Sequence, residues 1–433
     1  MSSILTNTGA MVALQTMRGI NKNMAQTQSE ISTGKSINSA KDNAAVWAIS
    51  KSMQADVKGF SAIGDSLALG RSTVAVATQA AETVTDLLTQ MKGAIVSAQE
   101  DNVDRAKIQT DIVALREQIT SITTAAQFNG LNLLSNREQT AGTGTVNVLS
   151  SLDRASDGSV SSANISVSKQ DLGTQESSIA TTAVALAALP LAEKATGTSA
   201  GAVQALTGVV AAAGVSNTAT IVNGGVAAGD GFSIALSAGA GTLAGANTSS
   251  TNDIRYVARD GDTSVDVARG LAAAFNRYAE ANGLEGLTAS VTGAGNNEVT
   301  FTNTAGLNNN VSVRLDVFAA TDTTIGGGLE ALNGIDVSTS DGAASALSEI
   351  EGMIQTAIDS ASAFGSAQTR IDTQAEFIKN LSDALTTGIG SLVDADMEAA
   401  SARLQALQVQ QQLATQSLSI ANQQPQNILA LFR

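Results

Sequence analysis

Hydrophobic residues recur every three or four positions at both ends of the chain. Toward the C-terminus Met397, Leu404, Gln411 and Leu418 fall seven apart, and Ala400, Leu407, Ala414 and Ala421 form a second seam. That heptad pattern marks a helix that packs along another helix. Leu413 and Ile420 widen the apolar face, and Pro425 is expected to stop the helix. Near the start, Met11, Leu14, Met17, Ile20, Met24 and Ile31 repeat the spacing of three and four. A longer helical period runs from Ala44 to about Gln99 through Ile49, Met53, Val57, Phe60, Ile63, Leu67, Val74, Ala81, Val84, Leu88, Met91 and Ile95. Gly59, Gly64 and Gly70 predict a break within it, since each glycine in a helix interior costs about 1 kcal/mol. Asp101 to Ala126 holds a further helix, ended by the turn signal Phe128-Asn129-Gly130.

From Thr143 to Leu172 the period becomes two. Thr145–Val148 and Asn164–Val167 alternate polar and apolar, with Asp157-Gly158 as a turn between them. Ser177 to Gly214 is alanine-rich and reads as helix or linker. Thr218 to Phe318 is α+β in pattern, with strand-like runs at Thr220–Val222, Phe232–Leu236, Ile254–Val257, Val299–Phe301 and Val311–Leu315. One helix sits among them, Ser264 to Ala281, opened by a capping-box pair, Thr263 and Asp266, and burying Val267, Leu271, Phe275 and Tyr278. Helical period resumes from Ala343 to Leu392. The order is palindromic, and the flanking helices are expected to pair antiparallel. The predicted fold class is mainly α: a long antiparallel helical rod or coiled coil from the N- and C-terminal segments, with short β-hairpins and an α+β insert.

Charge and composition sharpen this picture. The 433 residues carry 24 basic and 39 acidic side chains, a net charge of −15, with no cysteine and no histidine. Nucleic acid is therefore excluded as a partner, since it requires a basic face. Disulfides, thiolate or imidazole metal sites and histidine-based nucleophiles have no residues to build them. No cofactor site is legible. Leu404 to Phe432 is uncharged over 29 residues, nine of them glutamine, which is too polar for a membrane span. Met1 to Met17 lacks the basic start and unbroken apolar block of a secretory signal. Solvent-facing helices normally carry lysine and glutamate. Neutral, amide-rich faces suit either an ordinary intramolecular coiled coil or burial among other copies of the same chain. Between Ser216 and Glu330, eleven acids and five bases make the insert acidic.

Other motifs are weak. Gly239-Ala-Gly241 with Gly245 lacks the spacing and the lysine of a phosphate loop. Asp260, Asp262 and Asp266 lack the glycine and terminal glutamate of a calcium loop, and acid at a helix N-terminus explains them. Asn247 and Asn310 begin glycosylation-like triplets. Trp47, the single tryptophan, is expected to anchor two helical segments.

Six blocks, in order, resemble bacterial flagellin. Ser29–Ala45, which contains Ile37-Asn38-Ser39-Ala40, is similar to the family's "LSSGxRINSAxDDAA", and Ala48-Ile49-Ser50 follows it as "AIS". Phe128-Asn129-Gly130 with Leu133-Leu134 is similar to "FNGxxLL", and Phe364–Ile371 to "LGAxQNRL". Asp394-Ala395-Asp396-Met397 is similar to "DADM". Ala421–Leu429, with Asn422, Gln423, Pro425 and Gln426, is similar to "ANQxPQxVL". The resemblance covers both ends and leaves the insert, the family's variable region, unsupported.

The resemblance implies a filament subunit, not an enzyme, exported unfolded through the flagellar channel and assembled at the distal end. Its partners would be itself, the flagellar cap and hook–filament junction proteins and a flagellin export chaperone covering the C-terminal helix. It implies residues 1–41 with 395–433 as a terminal coiled-coil layer, disordered in the monomer and ordered in the filament. Residues 42–176 with 335–394 would form the rod, with hairpins at 143–172, and 177–334 the outer domain. Self-assembly contacts would fall on Met11, Leu14, Met17, Met24, Ile31, Met397, Leu404, Leu407, Leu418 and Ile420. One departure concerns "LQRxRELAVQ", the run that the innate flagellin receptor of animals recognises. Here Gln90 stands for its arginine and Gly93-Ala94 for its Glu-Leu, which implies a poor ligand. Two other readings fit parts of the chain: a hook–filament junction protein sharing the terminal helices, and an adhesive role for the acidic insert. The zinc-protease insert of some flagellins needs H-E-x-x-H, which a chain without histidine lacks.

Overall fold

The computed structural model describes residues 7–154, 159–180, 195–197, 204–206, 215–221, 226–238, 243, 248, 250–293, 295–304 and 311–431. Six α-helices account for most of it: α1 (Thr8–Thr33), α2 (Ala44–Ala98), α3 (Arg105–Ala125), α4 (Ser264–Ala281), α5 (Ser340–Val393) and α6 (Met397–Leu431). The strands are β1 (Gln127–Phe128), β2 (Leu131–Asn132), β3 (Thr145–Arg154), β4 (Val160–Ser168), β5 (Ser178–Ile179), β6 (Ala195–Gly197), β7 (Gln204–Leu206), β8 (Val215–Ile221), β9 (Gly231–Ala238), β10 (Arg255–Val257), β11 (Leu287–Thr292), β12 (Glu298–Asn303), β13 (Val311–Phe318) and β14 (Thr323–Thr324). The fold class expected from periodicity is therefore the one observed, mainly α with short sheets and an α+β insert.

The chain clusters into two compact units. One contains residues 1–65, 151–162 and 374–433, the other 66–150 and 163–373. In the second unit α2 and α5 run antiparallel, joined by Arg71 to Asp372 at 3.7 Å and by Lys92 to Glu351. Their buried apolar faces include Leu67, Val74, Leu88, Met91 and Ile95 on one helix and Ile350, Phe364 and Ile371 on the other. Asp104 caps α3, its Oδ1 accepting from Lys107 N at 3.3 Å. The Gln109 side chain ties α3 to the segment before α5. Its Nε2 donates to Ile335 O and its Oε1 accepts from Val337 N.

The break expected at Gly59, Gly64 and Gly70 does not occur, because α2 is one helix of 55 residues. Two of the three, Gly70 and Gly59, serve packing instead, while nothing lies within 4 Å of a Cβ at Gly64. A Cβ on Gly70 would sit 2.6 Å from Val148 Cγ1, so β3 lies against bare backbone there. Within the other unit a Cβ on Gly59 would stand 3.1 Å from Leu152 Cδ1. Ile49 faces solvent despite its place in the periodic pattern. β3 pairs with β4 and buries Val148, Ile165 and Val167, while the turn expected at Asp157-Gly158 lies outside the described residues.

Phe128-Asn129-Gly130 forms a two-residue hairpin, with Phe128 opposite Leu131 and Gln127 opposite Asn132. Asn129 and Gly130 both take positive φ, 50° and 81°, the backbone an Asn-Gly pair supplies at least strain. The insert is built on two antiparallel four-stranded sheets, ordered β10-β9-β13-β7 and β11-β12-β8-β6, with α4 packed on strands of both. Val267, Leu271 and Phe275 are buried as expected, and Tyr278 is only half-buried. Phe275 and Phe301 rings meet at 5.0 Å in a tilted pair. The alanine-rich 177–214 stretch contributes strands β5, β6 and β7 where it is described, not a helix.

The three aspartates near α4 are drawn to separate tasks. Asp260 Oδ2 accepts from Gly144 N, Asp262 Oδ2 from Tyr256 Oη and Arg259 N, and Asp266 Oδ2 from the Thr263 N and Oγ1 groups. Burial pushes the Asp262 carboxyl and the Tyr256 phenol upward in pKa. Gly239 to Gly245 lies largely outside the described residues, as do Asn247 and Asn310.

Candidate self-assembly surface

The first unit holds both terminal helices, and its geometry starts from two short connections. After α1 ends at left-handed Gly34, residues 35–43 lead to α2, and Asp394–Asp396 leads from α5 to α6. The two connections bond side by side. The backbones of Lys35 and Asp394 pair antiparallel, Ser36 N and Ser36 Oγ both donate to Val393 O, and Ala395 N donates to Gly34 O at 2.9 Å. Asp42 folds its loop inward. One carboxylate oxygen accepts Asn38 N, Ser39 N and Ser39 Oγ at 2.9 to 3.1 Å, and these bonds, the Ser39 backbone first, hold its pKa below the usual carboxylate value. Asn43 Oδ1 then accepts Val46 N at the start of α2, and Asp396 Oδ1 accepts Glu398 N and Ala399 N at the start of α6. Ile37 and Ser39 are half-buried in this junction, Asn38 and Ala40 exposed. Trp47 lies half-buried on the first turns of α2, with Lys51 Nζ 6.0 Å from its ring centre.

From this junction α1 and α6 run back along each other in antiparallel register. Gln411 Nε2 donates to Asn21 Oδ1 at 2.8 Å and Asn7 Nδ2 to Ala421 O at 2.8 Å. The α6 seam follows the sequence pattern, with Ala400, Leu407 and Ala414 buried and Leu404, Gln411, Leu418 and Ala421 half-buried. Its counterpart on α1 is Ala13, Met17, Ile20, Met24, Thr27 and Ile31, of which Thr27 alone is buried. Met11 and Leu14 are not in that seam and stand exposed, and Met397 is exposed at the first turn of α6. Asn422 and Gln423 are exposed on α6. The helix does not stop at Pro425. It continues through Pro425 and Gln426 to Leu431.

A second stripe runs along α6 on the side away from α1. Ala402, Ala406, Val409, Leu413, Gln416 and Ile420 alternate by four and three, and all are exposed, Val409 by 55%, Leu413 by 56% and Ile420 by 69%. One helix thus carries two heptad seams on opposite faces, with α1 filling only one. The same 4-3 spacing was present in the sequence and would have marked Val409, Ala402 and Ala406, which a search for a single seam passes over. On α2, Gln90 and Gly93 are exposed and Ala94 is half-buried, with nothing within 4 Å of a Cβ at Gly93. No described helix is long and apolar enough to cross a membrane.

The model of the bacterial flagellin N-terminal helical region matches residues 4–140, and that of the bacterial flagellin C-terminal helical region matches 347–432. Flagellin A of Rhizobium meliloti is 36% identical over 435 residues and covers 100% of each chain. Flagellin FljM of Caulobacter vibrioides is 27% identical, covering 100% of this chain and 99% of its own. Among solved structures, FliC from Burkholderia pseudomallei is similar at 15% identity over 70% of this chain and 99% of its own, with a TM-score of 0.30.

Proposed function

Because the chain belongs to the bacterial flagellin family and is a structural subunit of the extracellular flagellar filament, the self-polymerising propeller of swimming, and not an enzyme, we propose that its α1–α6 pair is the assembling element and that the outer stripe of α6 meets neighbouring copies. The observation that carries this reading is the second heptad seam, apolar, uncharged and open on a helix whose first seam is already filled. Water solvates such a stripe poorly, whereas sister helices bury it without bringing like charges together.

The thinness of the intrachain seam points the same way. Among the residues whose burial is described, one on α1 and three on α6 are buried, a small core for helices of 26 and 35 residues. On this reading the layer formed by residues 1–41 and 395–433 is loose in the free subunit and ordered by assembly. Residues 42–176 with 335–394 form the supporting rod, and 177–334 the outer domain. The connection residues Ile37, Asn38, Ser39, Ala40, Asp394 and Asp396 set the exit angle of both terminal helices. Phe128, Asn129 and Gly130 turn the rod's hairpin.

An apolar stripe that waits for partners also needs cover before export. This supports a dedicated chaperone on α6 inside the cell, passage through the flagellar channel, and insertion between cap and hook–filament junction proteins. Hydrogen exchange tests the central claim. Amides of α1 and α6 are expected to exchange fast in dilute, unpolymerised protein and slowly in seeded filaments. Protection already present in the dilute chain would sink it. Removing Leu404 to Arg433 is expected to leave a soluble, export-impaired chain that forms no filaments under electron microscopy.

A further inference from the structure

Pro425 lies inside α6, and a proline has no backbone N–H to give. The carbonyl four residues earlier, that of Ala421, therefore lacks its i+4 intrahelical donor. The side chain of Asn7 meets that carbonyl, with Nδ2 donating to Ala421 O at 2.8 Å. The other half of the same amide is also committed, because Asn7 Oδ1 accepts Ala10 N at 3.0 Å and caps α1. The backbones run close here, so that a Cβ on Gly9 would stand 3.9 Å from Ala421 Cβ.

Capping alone does not call for asparagine. Serine and aspartate cap about as well, and neither offers the outward N–H₂. What needs explaining is a donor aimed at the one carbonyl in α6 that proline chemistry has emptied. A slip of one heptad puts Ala421 where Ala414 stood, but also Leu407 where Ala400 stood and Gln411 where Leu404 stood, so side-chain size sets part of the register. A proline occurs once in α6 and cannot be matched after such a slip.

We propose that Asn7 is the positioning residue that completes the register of α1 on α6, by supplying to Ala421 the hydrogen bond that Pro425 withholds. The inference rests on the reading that the α1–α6 pair is the assembling element. It also explains why Pro425 is tolerated deep in a helix that must be continuous.

The test is a double-mutant cycle on the full-length purified chain, polymerised from seeds, with critical concentration read by sedimentation. Asn7→Ser keeps the cap and removes the amide donor. It is expected to raise the critical concentration about fivefold, the loss of one hydrogen bond. In a Pro425→Ala chain the restored N–H of residue 425 serves Ala421, and Asn7→Ser is expected to raise it less than about twofold. An equal rise in both backgrounds overturns the inference. Should Asn7→Ser abolish polymerisation outright, the Asn7→Ser/Pro425→Ala chain must recover it, and failure to recover overturns the inference too. Filament formation by the unsubstituted chain in the same assay keeps the two claims apart. Its absence would sink the assembly reading, whereas filaments without coupling sink only the role of Asn7.

Discussion

Replacing Leu413 by glutamine tests the outer stripe of α6 directly. Leu413 is 56% exposed in the single chain, so just over half of its side chain remains to be buried when neighbours arrive. Full burial of a leucine contributes about 1.5–3 kcal/mol, which leaves about 1–1.5 kcal/mol for the subunit contact. Glutamine has nearly the same helix propensity, so the free helix is unaffected while that contact is lost. About 1.4 kcal/mol is a tenfold change in an equilibrium constant, and the critical concentration for seeded growth is expected to rise about tenfold. Ile420 is 69% exposed and carries a similar share. It lies two turns further along, about 10 Å, far enough for the two effects to add. The Leu413→Gln/Ile420→Gln chain is thus expected to need about a hundredfold more protein to polymerise. Sedimentation across a dilution series reads this, with far-ultraviolet dichroism as the check that helix content is unchanged. A doubly substituted chain that polymerises at the unsubstituted concentration would refute the claim that this face meets other copies.

Glycines of α2 give a matched pair of tests. Gly70→Ala drives a Cβ to within 2.6 Å of Val148, and is expected to destabilise by about 1–2 kcal/mol net, with rescue by Val148→Ala in denaturant melts. Gly93→Ala meets nothing and is expected to stabilise by about 0.5–1 kcal/mol in the same melts. The hydrogen bonds to Asp42 depress its pKa in the folded chain, so its contribution is present above the unfolded value of about 4 and is lost as pH falls through the folded one. The gap in acid stability between the unsubstituted and Asp42→Asn chains should therefore hold steady above about pH 4 and close below it, as followed by acid disassembly of filaments. At the receptor run, reporter cells are expected to respond weakly to this chain and more strongly once Gln90→Arg, Gly93→Glu and Ala94→Leu are combined. Potency already equal to that of a motif-bearing flagellin would contradict this.

Periodicity alone determined the helices, because a buried stripe leaves a 3.6-residue trace wherever it packs. The seam on α6 and the face of α4 were legible for that reason, and the turn at Asn129-Gly130 was legible from its residue types. The absence of charge at the ends left two readings, an intramolecular coiled coil or burial among other copies, and the missing histidine removed histidine-based catalysis from consideration. What the sequence left undecided is how backbone atoms distant along the chain meet. Gly70 reads as a break until Val148 is seen lying on it. Pro425 reads as a stop until Asn7 is found at the carbonyl of Ala421. Asp260, Asp262 and Asp266 read as one cluster until their partners separate them. In each case the local cost of a residue is set against a contact from another part of the chain, and only the tertiary structure brings that contact into view.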